Sequence, residues 1–599
     1  MAKVQLEYLS RLRKAMKDHG IDAVVISNTD PHQSELPPLH WRGREWLTGF
    51  ESGNGTNGTA VVTSKDALCW TDSRFFIQAE QQLQGTGFSM MKEDGPDATD
   101  LVDWLVEHVD SGQTVGIDGM TFSVAMAQRM EQACSDNGIK FNANFPQFDY
   151  IYPDRPARPM NPLFVHDEKI VGENVDSKME RIMTEVKAEL ANSILLSSLD
   201  DIAWATNVRS ANVIAYSPIF VSYLYIDDAK RILFVDSEKL TPEVEDHLKK
   251  YNIEVRPYDA VLDFVASLPK ERRLLCDPEK TARGVYDKIG CTPVFGGASK
   301  VARLKSIKNA TMLENIDIAM EKDGVALVKF FMYVEKHAPE GNLTEVGLGN
   351  YLRSLRLADP SCVDESFHPI IGWNAHGAIV HYEATEETDF TIEGNGLLLV
   401  DSGGQYTFGT TDITRTIAIG KPTEEMKRDF TLVLKGHIAL SCAIFPEGTR
   451  GAQLDVLARQ FLWAEGKAYY HGTGHGVGFF INCHEGPQNI RLNENPTTLE
   501  PGMVTSNEPG LYLEDKYGIR TENLIAVEKW KVTEFGPFFK FRTLTLYPYD
   551  KTLLDISILT DPEIDWINNY HKEVYDRLSP LLSEEEKNWL ASKTSPITR

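Results

Sequence analysis

The chain has 599 residues, and 61 Lys and Arg against 87 Asp and Glu leave a formal charge of −26 with His neutral. Neutralising phosphate backbones or anionic lipid headgroups requires clustered Lys and Arg in excess, so this balance argues against nucleic-acid and membrane-surface roles. With 42% hydrophobic and 10% aromatic residues the chain has the apolar surface to build cores, which excludes disorder, and its length points to several domains. The seven cysteines are scattered with no CxxC pair, the pattern of reduced thiols rather than of a disulfide scaffold. Met1 to Gly20 has no apolar signal core, and the most apolar later stretch, Asn212 to Ile226, is broken by Ser217, Pro218 and Ser222. Neither an export signal nor a membrane span is expected, which makes a cytoplasmic location the default expectation.

In chain order, Leu6, Leu9, Leu12 and Met16 recur at helical spacing, Gly20 stops that helix, and Ala23 to Ile26 reads as a buried strand. The pattern repeats where Met179, Ile182, Met183, Val186 and Leu190 mark one face of a helix over Met179 to Ala191, followed by Ser193 to Leu196 as a strand. A Trp-containing segment follows each copy, Glu45 to Gly49 and then Ala203 to Asn207, so a degenerate duplication of one domain is expected. The boundary between the copies falls in Pro153 to Pro162, which carries four prolines and can continue neither helix nor central strand. A third unit opens after Lys300, where Lys305 to Asn309 leads into an amphipathic helix reaching about Val334, and it continues as Gly-punctuated strands to roughly Glu534. The end of the chain turns helical after Thr560-Asp561-Pro562. The expected organisation is a first α/β domain over 1–155, a second over 156–302, and a third over 303–599 whose C-terminal extension spans about 538–599.

The third unit changes character. The buried-strand run Leu397 to Val400 ends on Asp401, and eleven residues on, Asp412 opens the strand-like run Asp412 to Thr416. Two carboxylates on adjacent strands joined by a Gly-rich turn can face each other, although a strand-end Asp alone is more often a turn residue. In His471 to Gly478 the two histidines are spaced i, i+4, but the four glycines rule out a zincin helix and its glutamate is missing, so this is a loop or irregular strand. His484 follows in Asn482 to Pro487, and Glu508 and Glu522 sit fourteen residues apart, spaced for neighbouring strands. Two Asp, one His and two Glu suit hard or borderline divalent ions such as Mn²⁺, with Co²⁺ or Zn²⁺ also acceptable. Four carboxylates balance two divalent cations, which can activate one water and polarise a carbonyl.

The spacing of Asp401, Asp412, His475, Glu508 and Glu522, within DSGGQY, TDITRT, HGTGHGVG, NEPG and GIRTEN, resembles the pita-bread dinuclear metallopeptidases. WLTGF, WTDSRFFIQA, GAIVHY, LTLYPYDKTLLD and WINNYHKEV make the whole chain similar to the long three-domain form of aminopeptidase P, the Xaa-Pro aminopeptidases. The resemblance implies an α/β (α+β) architecture of two creatinase-like N-terminal domains followed by a pita-bread catalytic domain. It implies that Asp401 holds one metal, that Asp412 and Glu522 bridge both, and that His475 and Glu508 complete the second, with a hydroxide between the ions. It makes Glu508 the general base as well, assigns His381 and His484 to the tetrahedral intermediate and scissile carbonyl, lines the substrate pocket with His471, and gives Arg520 and Thr414 the task of orienting ligands. The implied reaction releases the first residue from peptides with proline second, in a cytoplasmic homodimer. Two positions depart from the family pattern, Asn507 where Asp is frequent and Ser210 where Gly is usual. The rivals are a prolidase acting on Xaa-Pro dipeptides, a metal-independent creatinase-like hydrolase and a non-catalytic pita-bread binding module.

Overall fold

The structure is a computed structural model describing residues 2–52, 57–95, 97–211, 215–296 and 300–599. The start of the apolar stretch Asn212 to Ile226 therefore lies outside the described residues. The chain divides into two compact units, one of residues 1–166, 173–215 and 219–301, the other of 167–172, 216–218 and 302–599.

The first unit contains two sheets built on one plan. Helix α1 (Ala2–His19) buries Leu9, Leu12 and Met16 but leaves Leu6 48% exposed, so the apolar face is one turn shorter than the spacing predicts. Strands β1 (Ala23–Ile26), β2 (Thr59–Thr63), β3 (Ala67–Thr71), β4 (Ser89–Lys92), β5 (Thr114–Gly116) and β6 (Lys140–Asn142) pair in the order β4-β3-β2-β1-β5-β6. The second sheet is preceded by α2 (Val175–Ala188), which begins and ends a few residues before the expected bounds. Asn174 caps its start through its side chain. At its end Leu190 turns left-handed (φ 56°) and the Ala191 amide reaches back to Val186 O, closing the helix and leaving Leu190 76% exposed. Strands β7 (Ser193–Leu196), β8 (Tyr223–Asp227), β9 (Arg231–Phe234), β10 (Ile253–Arg256), β11 (Arg273–Cys276) and β12 (Thr292–Phe295) then pair as β10-β9-β8-β7-β11-β12. Both sheets have antiparallel pairs β1/β2 and β2/β3, or β7/β8 and β8/β9, and parallel pairs elsewhere. The two Trp-containing segments occupy matching short helices, Gly43–Thr48 and Leu199–Thr206, each closed by a left-handed residue, Gly49 or Asn207.

In the second unit Asn309 caps α3 (Ala310–His337), and its side chain also binds Val171 O, which brings Asp167–Gly172 into this unit. Strands β13 (Ile370–Trp373), β14 (Gly396–Ser402) and β15 (Ile413–Ile419) form an antiparallel sheet. Strands β16 (Ile444–Pro446), β17 (Gly474–Val477), β18 (His484–Ile490), β19 (Val504–Asn507), β22 (Asn523–Thr533) and β23 (Gly536–Thr543) form another, in the order β16-β23-β22-β19-β17-β18, while β20 (Gly510–Leu513) and β21 (Tyr517–Arg520) pair as a hairpin between β19 and β22. Helices α4 (Glu424–Ser441) and α5 (Asp561–Leu578) pack on the same apolar core, α5 opening with a Thr560/Glu563 capping box. Among the described residues no helix is long and apolar enough to cross a membrane.

Candidate metal centre

Three of the four carboxylates stand where strands break, and Asp401 is next to the end of β14. In the β14/β15 register Asp401 lies opposite Thr414, and Asp412 directly precedes β15. The intervening turn needs glycine at 403, since a Cβ there would lie 2.0 Å from Thr411 O. Glu508 occupies the gap between β19 and β20 and Glu522 the gap between β21 and β22, so each glutamate sits where the chain passes from the six-stranded sheet to the hairpin or back. His475 lies on β17 between two glycines because neighbouring backbone crowds both positions: a Cβ on Gly474 would meet Ser506 O at 2.0 Å, and one on Gly476 would meet Glu485 O at 2.2 Å. The glycine-rich stretch is a strand with an irregular register at His475, packed too tightly for side chains.

Ligand atoms of Asp412, His475 and Glu522 lie within 4.8 Å of one another. His475 Nδ1 donates to Gly476 O at 2.9 Å, which turns Nε2 toward Asp412 Oδ2 (3.4 Å) and Glu508 Oε1 (3.5 Å). Thr414 Oγ1 donates to Glu522 Oε2 at 2.7 Å, and Arg520 binds Asp401 Oδ2 through Nη2 (2.6 Å) and Nε (3.1 Å). Asp401 Oδ1 is buried without a hydrogen-bond partner. His484 packs its ring edge-on to His475, centroids 4.3 Å apart. His471 meets the Tyr512 hydroxyl at 2.8 Å, and Tyr512 accepts from Arg520 Nη1 at 2.8 Å, which links His471 to Asp401. His381 is half-buried in the turn after Asn374–Ala378, and its neighbour Tyr382 donates to the buried Glu345 at 2.9 Å.

Three contributors have no signal in the sequence pattern. Ser506 Oγ accepts from the His475 amide and donates to Glu508 Oε1 at 3.0 Å, Tyr512 joins His471 to Arg520, and the Cys483 thiol donates to Asp412 Oδ2 at 3.3 Å. Each acts across strands remote in sequence, which spacing along one strand does not reveal.

Crowding of like charges shows in the titration of the site. Burial, with the Asp412 charge, raises Glu508 to about 7 against the opposing pull of His475, and burial with Asp412 and Glu508 nearby raises Glu522 well above the carboxylate range. Burial also raises Asp401 despite Arg520. His475 is raised to about 9, because Asp412 and Glu508 outweigh the burial that would lower it. Four carboxylates faced by Arg520 and the raised His475 still make a site short of positive charge. That deficit and the orphaned Asp401 Oδ1 fit a pair of divalent cations.

Residues 314–529 match metallopeptidase family M24, and 537–597 match the C-terminal region of that peptidase family. Residues 9–143 and 154–312 each match a creatinase/prolidase N-terminal domain. Aminopeptidase P2 of Arabidopsis thaliana is 37% identical across 99% of this chain and 89% of its own length. The chain belongs to the aminopeptidase P family. Xaa-Pro aminopeptidase 1 of Dictyostelium discoideum, a second member of the family, is 34% identical over 100% of the chain and 97% of its own. The crystal structure of X-prolyl aminopeptidase from Caenorhabditis elegans, described as a cytosolic enzyme with a di-nuclear active site, superimposes with a TM-score of 0.94 at 31% identity, covering 99% of this chain and 100% of that one. A Xaa-Pro dipeptidase from Bacillus anthracis shares the fold alone, with a TM-score of 0.52 and 22% identity over 63% of the chain. The expected architecture of creatinase-like domains followed by a pita-bread domain is that of this family.

Proposed function

We propose that this chain is a metal-dependent Xaa-Pro aminopeptidase, releasing the first residue of peptides with proline second. The observation that carries the reading is the buried Asp401, Asp412, His475, Glu508 and Glu522 cluster, short of positive charge, in a chain similar along its whole length to enzymes named for that activity. The same five side chains would hold two divalent ions, for which Mn²⁺ suits the oxygen-rich donor set best and Co²⁺ or Zn²⁺ also fit. Bound ions supply Lewis acidity and acidify water toward neutral pH.

The chain's own residues supply the rest. Glu508 takes the proton of the attacking water, its position set by Ser506. His484, edge-on to His475, and His381 donate to the oxygen on which charge develops. Thr414 and Arg520 hold Glu522 and Asp401 in place, and His471 lines the pocket through Tyr512. Proline's nitrogen carries no N–H, so a site that recognises the free amine and the ring accepts what enzymes bonding to that amide reject. The enzyme works in the cytoplasm as a homodimer, as a domain triad divided near 155 and 302, and the Caenorhabditis relative's description as cytosolic supports that location.

Metal analysis combined with a peptide-length assay tests this. Xaa-Pro-Yaa tripeptides are expected to be cleaved with about two Mn²⁺ bound per chain. Activity confined to Xaa-Pro dipeptides would make the protein a prolidase instead.

A further inference from the structure

Behind the ligand cluster lies a second polar layer built around the buried Arg415. Arg415 stands on β15 next to Thr414, 2% exposed, and among the described residues no carboxylate pairs with it. Its guanidinium donates to neutral oxygens on two sides. Toward the ligands, Nη1 donates to Thr414 O at 2.9 Å and Glu522 O at 2.5 Å, and Nη2 donates to Asn523 Oδ1 at 2.8 Å. Toward the C-terminal region, Nη2 also donates to Tyr547 O at 2.6 Å, sharing a hydrogen with the Tyr570 hydroxyl at 3.0 Å, and Nε donates to Pro548 O at 3.3 Å. The guanidinium carbon lies 4.6 Å over the Tyr549 ring.

A buried cation without a counter-ion is costly to desolvate, so its retention calls for a reason other than pairing. Its geometry provides one. The Glu522 amide donates to Thr414 O at 3.1 Å, so Arg415 binds carbonyls on both sides of the one backbone bond joining β15 to the turn that carries Glu522. A planar fork of five N–H donors reaches both strands and the C-terminal region at once, which a lysine's compact ammonium does not.

We propose that Arg415 is a positioning residue through which the C-terminal region, Tyr547, Pro548 and Tyr570, sets the Glu522 and Thr414 backbone for metal binding. This rests on the metal site proposed above. It gives residues 537–597 a part in ligand geometry beyond completing the core.

The test is calorimetric titration of Mn²⁺ into the chelator-stripped full-length chain, for wild type, Arg415→Lys, Tyr570→Phe and the double variant, alongside thermal melts and kinetics on an Xaa-Pro-Yaa tripeptide. Arg415→Lys is expected to weaken the more loosely held ion by roughly 10- to 100-fold, the range for partners that orient metal ligands. Its kcat is expected to recover at excess Mn²⁺ with KM unchanged. Tyr570→Phe weakens that ion less, and the double variant binds no more weakly than Arg415→Lys, because both substitutions cut the same connection. A wild-type Mn²⁺ isotherm in Arg415→Lys, or a lower melting temperature as the sole change, overturns the proposal. If Arg415→Lys does not fold, a wild-type isotherm in Tyr570→Phe overturns it. A wild-type chain that binds no Mn²⁺ overturns the metal-site reading and this inference together, an outcome separate from wild-type binding that the substitutions leave untouched.

Discussion

His475 and His437 lie in neighbouring layers of one unit and titrate in opposite directions. Burial lowers His437 to about 3, with the Arg415 charge adding to it, and the ring is fully bonded: Nδ1 donates to Asn507 O at 3.0 Å and Nε2 meets the Tyr549 hydroxyl at 3.0 Å. His475 is raised to about 9, because Asp412 and Glu508 overcome the same kind of burial. The support layer sets Arg415 and His437 among neutral partners, with Asn507 Oδ1 and His571 Nδ1 left unbonded, whereas the ligand layer holds like charges together and leaves the carboxylate oxygen Asp401 Oδ1 with no partner. The layer of crowded like charges is the one prepared for a ligand, since a fold gains nothing from crowding carboxylates unless something positive binds there.

The sharpest way to break this contrast is substitution in each layer. His475→Ala or Glu522→Ala is expected to abolish metal uptake and turnover together, with the two N-terminal sheets still folded by circular dichroism. His437→Ala, by contrast, costs stability of about 1–3 kcal/mol through the groups it leaves unpaired but keeps both functions measurable. Full activity in either ligand variant after chelation and dialysis would show that the cluster is not the site.

A second, smaller effect concerns pH. Without metal, the folded-state values of about 9 for His475 and about 7 for Glu508 lie above the ordinary 6.5 and 4.5, so the folded state holds extra protons. The stability these groups contribute is complete below their ordinary values and is lost as pH rises through 7 and then 9. Metal displaces the same protons and binds more tightly as pH rises. The gap in melting temperature between loaded and stripped protein should therefore widen from pH 5 to pH 9, and a constant gap would assign the raised values to groups the metal does not touch.

The smallest effect belongs to the support layer alone. Tyr549→Phe removes hydroxyl contacts to Asn523 Nδ2 at 2.8 Å and to His437 Nε2. It should cost about 1 kcal/mol in denaturant melts and change Mn²⁺ affinity less than Arg415→Lys does. A larger loss of metal than of stability would move Tyr549 into the ligand-orienting group.

Much of this organisation was legible in the sequence. The duplication was visible because each copy opens with an amphipathic helix, a buried strand and a Trp-bearing segment, and the sheets have the same strand order. The candidate ligands stood out as a set: a strand-end Asp alone reads as a turn residue, but two of them with a glycine-flanked histidine and two spaced glutamates match a divalent-metal donor set. Helix ends were less legible: the left-handed turn at Leu190 has no glycine to announce it, and it ended α2 three residues before Ala191. Nothing in the sequence explains the departure at Asn507, whose side chain donates to His437 O and to the Ser441 hydroxyl, both at 2.9 Å, bonds an ionised Asp could not make.

The sequence by itself determined which residue types gather in the third unit, the spacing that sets them on strand ends, and the family they resemble, because those follow from local pattern and composition. Tertiary structure alone decided which atoms meet: Asp412, His475 and Glu522 within 4.8 Å, Ser506 beside Glu508, and Arg415 between the ligand turns and the C-terminal region. Those contacts join segments up to 155 residues apart along the chain. Periodicity reports a residue's own face and neighbours, while pairing across strands depends on register and loop closure between distant segments.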